Sequence, residues 1–203
     1  MSACRWSWDG CLRASCAALA AASVLLLSDV PTARSSELVG EPVLRIEEDW
    51  KLVLNEPNGN VDSPQFHTVM TPFDHLGSNY AQVLWNYREM PDFRSGGVQL
   101  QSCAGETLMR RKSIEFGQLS TTAETITWTQ GLTTDGAALS FDVDNGVSTT
   151  WGTFGRDMRI DEEANLPDLN GYCTDASVDN ACITYGSNRV DLLVITQVSM
   201  TAL

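Results

Sequence analysis

Beyond about residue 35 the apolar residues of this chain return at every second position, in short runs separated by Gly, Pro, Asn and Asp, a spacing that predicts strands and not helices. In "DWKLVLNE" Trp50, Leu52 and Leu54 share one face and Lys51 and Val53 the other. "QFHTVMT", "YAQVLWNYRE", "GVQLQSC", "TLMRRKSIEF" and "AETITWTQ" continue the alternation, with Ile126 and Trp128 opposed to Thr125, Thr127 and Thr129 in the last of them. In "LSFDVDNGVSTTWGTF", Leu139, Phe141 and Val143 alternate up to Asn145-Gly146, and Val147, Thr149 and Trp151 alternate away from it. The pattern predicts a tight hairpin centred on that pair, because both residues tolerate positive φ. The last run, "RVDLLVITQV", is apolar on both faces and is expected at the centre of a sheet.

Roughly nine or ten such strands, without a long helix, describe an all-β fold: an antiparallel β-sandwich or jelly roll, with a closed barrel as the alternative. Residues 36–203 form one domain in this reading. Residues 161–180, "DEEANLPDLNGYCTDASVDN", read as a long polar connection with a helical turn near Asp161–Leu166.

The N-terminus changes the picture of where the chain goes. Arg5 and Arg13 precede the run "ASCAALAAASVLLL", which stops at Ser28-Asp29. This predicts a cleavable secretory signal peptide over residues 1–35, cut near Ser35. The run is shorter than the ~18–20 residues that cross a bilayer as a helix, so no membrane anchor is expected in the mature chain. The expected location is extracellular, or periplasmic within the cell envelope. A net charge of −13 over 203 residues opposes binding to nucleic acid or anionic membranes.

Export also bears on the cysteines. Cys4, Cys11 and Cys16 fall in the signal segment, leaving Cys103, Cys173 and Cys182 in an oxidising compartment. Cys173 and Cys182 flank "TDASVDNA" and are expected to pair, a loop closure of about 2–3 kcal/mol. Cys103 is read as a buried small hydrophobe.

Candidate chemistry is sparse. No G-x-S-x-G elbow is present, the cysteines and histidines lack zinc spacing, and no residue is assigned a catalytic role. His67 and His75 are read as structural or solvent-facing, and Glu47 and Asp49, two positions apart, as a solvated strand edge. No cofactor is expected. For a structural calcium ion the candidates are Asp168, Asn170, Asp175 and Asp179 in the long connection, and Asn58, Asn60 and Asp62 in "NGNVD". The tryptophans and tyrosines read mainly as core. Trp151, flanked by Thr149, Thr150 and Gly152, is the best candidate for a ring that stacks on a ligand, with Asn188 and Arg189 as hydrogen-bond donors.

The segments "EDWKLVLNEP", "STTWGTFG" and "YGSNRVDLLVITQV" resemble those of a family of uncharacterised secreted bacterial β-rich proteins. The resemblance implies export and an all-β domain and carries no catalytic residues. The expected function is a secreted, non-enzymatic binding module for carbohydrate or a cell-surface partner. The alternatives are a glycan-active hydrolase on the same scaffold and a structural envelope or matrix protein.

Overall fold

A computed structural model describes residues 12–13, 41–56, 63–77, 79–87, 96–119 and 122–202. The signal-peptide run and its cleavage point lie outside these, as do Asn58, Asn60 and Asp62. The alternating runs form β1 (Leu12–Arg13), β2 (Val43–Leu54), β3 (Gln65–Met70), β4 (Asn79–Trp85), β5 (Gly97–Ala104), β6 (Thr107–Glu115), β7 (Glu124–Thr134), β8 (Gly136–Ser148), β9 (Gly152–Phe154) and β10 (Met158–Leu166). Helix α1 (Thr174–Asn180), β11 (Cys182–Tyr185), a 3₁₀ turn at Ser187–Arg189 and β12 (Val190–Ala202) complete the chain.

The strands make two antiparallel sheets packed face to face, a sandwich and not a closed barrel. Sheet A has the order β1-β11-β3-β4-β5-β6, and sheet B the order β10-β8-β7-β2-β12 with β9 folded back on β8. The inward ranks are the ones the alternation marks. Trp50 and Trp128 face each other across β2 and β7, stacked with ring centroids 6.0 Å apart, and Phe66 stacks on Trp85 at 5.6 Å across β3 and β4. Trp85 crosses to Trp128 at 4.2 Å and joins the two sheets. Two polar side chains sit within this aromatic cluster. The Thr68 hydroxyl donates to Gln130 Oε1, which also accepts from the Trp128 indole at 3.2 Å, while the Trp85 indole donates to Thr68 Oγ1 at 2.9 Å. Every indole N–H in the cluster's centre is therefore satisfied without water.

Three local expectations are corrected. Asn145-Gly146 is not a hairpin turn: β8 runs through it, and Asn145, at φ 54°, makes a bulge against β7 between Thr127 and Thr129. Gly146 is needed because a β-carbon there would run into the ring of Phe154 on β9. The reversal comes later, at Thr149–Trp151. Asp161–Leu166, expected as a helical turn, is the end of β10, and the helix lies further on at Thr174–Asn180. Among the described strands β12 is the edge of sheet B and not its centre, hydrogen-bonded to β2 alone. Its doubly apolar pattern arises because one rank packs on the core while the other faces outward.

Candidate functional site

The "STTWGTFG" stretch is organised by a carboxylate at the start of β7. Glu124 Oε2 accepts from Ser148 Oγ at 2.8 Å and from the amides of Thr149 and Thr150 at 2.7 and 3.1 Å, and its Oε1 accepts from Thr150 Oγ1 at 2.5 Å. Ser148 Oγ accepts in turn from the amides of Thr150 and Trp151. A turn wound round one acceptor points Trp151 inward. Its ring is 7 % exposed, stacks on Phe116 at 5.6 Å, meets Phe154 edge-on, and donates its indole N–H to Gly117 O at 3.0 Å. It is a wall of the core and offers no face to a ligand.

Arg189 is likewise internal. It is fully buried; Nη1 donates to Leu119 O at 3.0 Å, and Nη2 to Asn55 O at 2.8 Å and Thr122 O at 2.9 Å. One guanidinium thus ties three connections to the start of β12 through its two terminal nitrogens, while its Nε is buried without a partner, out of reach of solvent. Asn188 beside it is exposed, and its backbone carbonyl accepts from Asn55 Nδ2. The three binding candidates therefore do not converge.

The expected Cys173–Cys182 bridge is not made. Cys173 is a free thiol at the N-cap of α1, and Cys182 is disulfide-bonded at the start of β11. The intervening seven-residue helix holds them roughly 10 Å apart at 1.5 Å per residue, beyond the reach of a disulfide. Cys103 is buried as expected but is disulfide-bonded. It stands three strands from Cys182 in sheet A, roughly 14 Å, so these two are not each other's partners.

Two of the four calcium candidates serve local structure. Asp168 Oδ1 accepts from the amide of Asn170, and Asn170 Oδ1 accepts from the amide of Val43, while Asp175 and Asp179 lie on α1. Among the described residues no group of three or more His, Cys, Asp or Glu side chains is placed to hold a metal ion.

Two buried titratable groups hold α1, and alternation alone does not reveal either. Glu48, fully buried on the inner rank of β2, accepts from Trp50 Nε1 at 2.8 Å, Tyr172 Oη at 2.6 Å and Ser177 Oγ at 2.5 Å. Burial raises its pKa above the usual carboxylate range, against the pull of those three donors. His67, on the outward rank of β3 opposite Cys182, is hydrogen-bonded to the backbone of Asn180, and its Nδ1 is buried without a partner. Burial lowers its pKa from 6.5 to about 4. As the pH falls the unfolded chain takes up this proton first, so the stability His67 confers is complete above pH ~6.5 and lost between ~6.5 and ~4. Equilibrium denaturation across that range should show a loss on the order of 3 kcal/mol, reduced in His67→Gln. An unchanged profile in the variant would mean that another group titrates. His75, by contrast, is exposed and pairs with Asp74 at 2.6 Å.

The outer face of sheet B carries a network of polar side chains. Arg45 forks onto Asp142 (3.1 and 3.2 Å), holds Glu47 at 2.9 Å and donates to Thr133 at 2.7 Å. Beside it Thr129 donates to Asp49 at 2.7 Å and Thr196 to Asp49 O at 3.0 Å. Ser140 donates to Asp161 at 2.6 Å, and Arg159 reaches both. Glu47 and Asp49 thus share the outer face of β2, an interior strand and not the edge expected, and each is engaged by a neighbour. The side chains of this face are pre-set by one another across five strands.

No family model matches the chain, and no curated protein matches it significantly. The resemblance drawn above stands on its three segments alone.

Proposed function

We propose that the chain is a secreted, non-enzymatic β-sandwich that binds a polar ligand, carbohydrate or a cell-surface partner, through the outer face of sheet B. The observation that carries this reading is the division of labour among the polar side chains. Glu48, Glu124, Arg189 and His67 are spent inside the fold, while Arg45, Asp49, Asp142 and Arg159 form a pre-ordered array facing out, oriented by the buried hydroxyls of Thr129 and Ser140. Such an array suits hydroxyl-rich or peptide-like partners, since its donors and acceptors are already oriented before a ligand arrives. Recognition here rests on hydrogen bonds and not on stacking, because Trp50, Trp85, Trp128 and Trp151 are all core. No helix among the described residues is long and apolar enough to cross a membrane.

A glycan array with and without calcium tests this. The expected result is binding to one polar glycan class, weakened at least tenfold by Thr127→Glu with an unchanged melting temperature. Thr127 is exposed in the middle of the face opposite Lys51, so the new carboxylate blocks the surface without breaking the core. Binding unaffected by this change would move the site elsewhere, and an empty array would leave the surface-protein half of the reading.

A further inference from the structure

An unpaired strand edge is a template for another strand, and folded proteins blunt their edges with charge, bulges or a cover. Among the described strands, three of the four sheet edges are guarded. β6 carries Arg110, Arg111 and Lys112, all exposed. β10 carries Arg159, Asp161, Glu162 and Glu163. In the full chain β11 is paired by β1, Leu12 opposite Ile183 and Arg13 opposite Cys182, within the segment the sequence reads as a signal peptide.

β12 is different. From Leu192 to Ala202 it holds no charged residue, no proline and no glycine. Its core-facing rank is incompletely covered: Leu193, Ile195 and Val198 are half-buried, and Met200 is 44 % exposed. The strand behind it is locally neutral, since its outward Arg45, Glu47, Asp49 and Lys51 balance. In a chain of net charge −13, long-range repulsion opposes self-association most where acids cluster and least along this edge.

We propose that β12 is a self-association edge, at which two copies pair β12 antiparallel about a twofold axis and merge their B sheets into one. The bulge on β12 between Ile195 and Gln197 sets the register. It changes the parity of the strand, so Leu193, Ile195, Val198 and Met200 face the core while Leu192, Val194, Gln197, Ser199 and Thr201 face out. An axis between Thr196 and Gln197 then matches every facing pair. Leu193 meets Met200 of the partner subunit and Ile195 meets Val198 of the partner subunit on the inner face. On the outer face Leu192 meets Thr201 of the partner subunit and Val194 meets Ser199 of the partner subunit. No pair brings charge to charge. The half-covered inner rank is its own complement when reversed, as an isologous interface requires, which favours a second copy over an unrelated strand. The bulge that blunts an edge for generic pairing here restricts it to one register.

Sedimentation equilibrium of the full chain over a concentration series tests this, with hydrogen exchange read at low and high concentration. The expected result is a monomer–dimer equilibrium in which amides of 192–201 gain protection on dimerisation. Met200→Glu should weaken it at least about tenfold, because each of the two symmetric contacts would set a carboxylate against Leu193. Met109→Glu, at an exposed position on β6, should not. Melting of the variants controls for folding. A monomer at every concentration would overturn the proposal, whether those amides exchange freely or are protected by the chain's own residues 1–40. A dimer indifferent to Met200→Glu would overturn it too.

Discussion

Trp128→Ala is expected to destabilise the protein by about 3–5 kcal/mol, the largest loss for any single truncation in the core. The ring is 1 % exposed and stands where the two sheets meet: stacked on Trp50, tilted against Trp85 at 4.2 Å and against Phe66 at 6.1 Å. A buried tryptophan removes roughly 200 Å² from water, or about 5 kcal/mol at 25 cal/mol per Å² as an upper bound. Truncation also leaves a cavity that neighbours fixed in two sheets close only in part, and removes one of the hydrogen bonds that hold Gln130 Oε1. Gln130 Nε2 already lacks a partner, so the amide has no alternative orientation in which the Trp85–Thr68–Gln130 chain survives. Urea denaturation followed by the remaining tryptophans measures the loss. A cost under about 1 kcal/mol would mean that the sheets do not pack at this point.

The parts of this fold that alternation encodes were readable in the sequence. "DWKLVLNE", "AETITWTQ" and "LSFDVD" form strands with the predicted inward ranks, because a period of two leaves only one way to bury Trp50, Ile126, Trp128 and Phe141 together. What alternation does not carry is distance along the chain. Asn145-Gly146 looks the same as a bulge and as a turn, and only the long-range capture of Thr149 and Thr150 by Glu124 decides that the chain reverses later. The apolar density of β12 cannot distinguish a central strand from an edge whose second rank is exposed. Arg189 looks like a free donor until Leu119, Asn55 and Thr122 bring their carbonyls to it from three separate connections. The short helix α1 lies in polar sequence whose apolar positions are few, and it is held by Glu48, more than a hundred residues upstream. Site residues failed for the same reason: polar side chains were judged by their neighbours in sequence, and their partners lie far away.

Glu48→Leu is expected to cost about 3–5 kcal/mol, and Glu48→Gln much less, about 1–2 kcal/mol. The leucine side chain fills the volume but orphans three donors at once, the Trp50 indole, the Tyr172 hydroxyl and the Ser177 hydroxyl, all in a place water does not reach. Glutamine keeps an Oε1 for Tyr172 and Ser177 and turns only its NH₂ toward the indole, so a single hydrogen bond fails. The two variants also separate in their response to pH. Burial holds the native carboxyl protonated above the usual range, so its contribution is fully present below pH ~4.5 and is lost as pH rises through the raised pKa. Glutamine does not titrate, and Glu48→Gln should therefore flatten that loss. Measuring both in a His67→Gln background removes the opposing histidine effect at acid pH. If Glu48→Leu proved as mild as Glu48→Gln, α1 would be held to the sandwich by its apolar contacts and not by this carboxyl. A loss on raising the pH that persisted in Glu48→Gln would place the titrating group elsewhere.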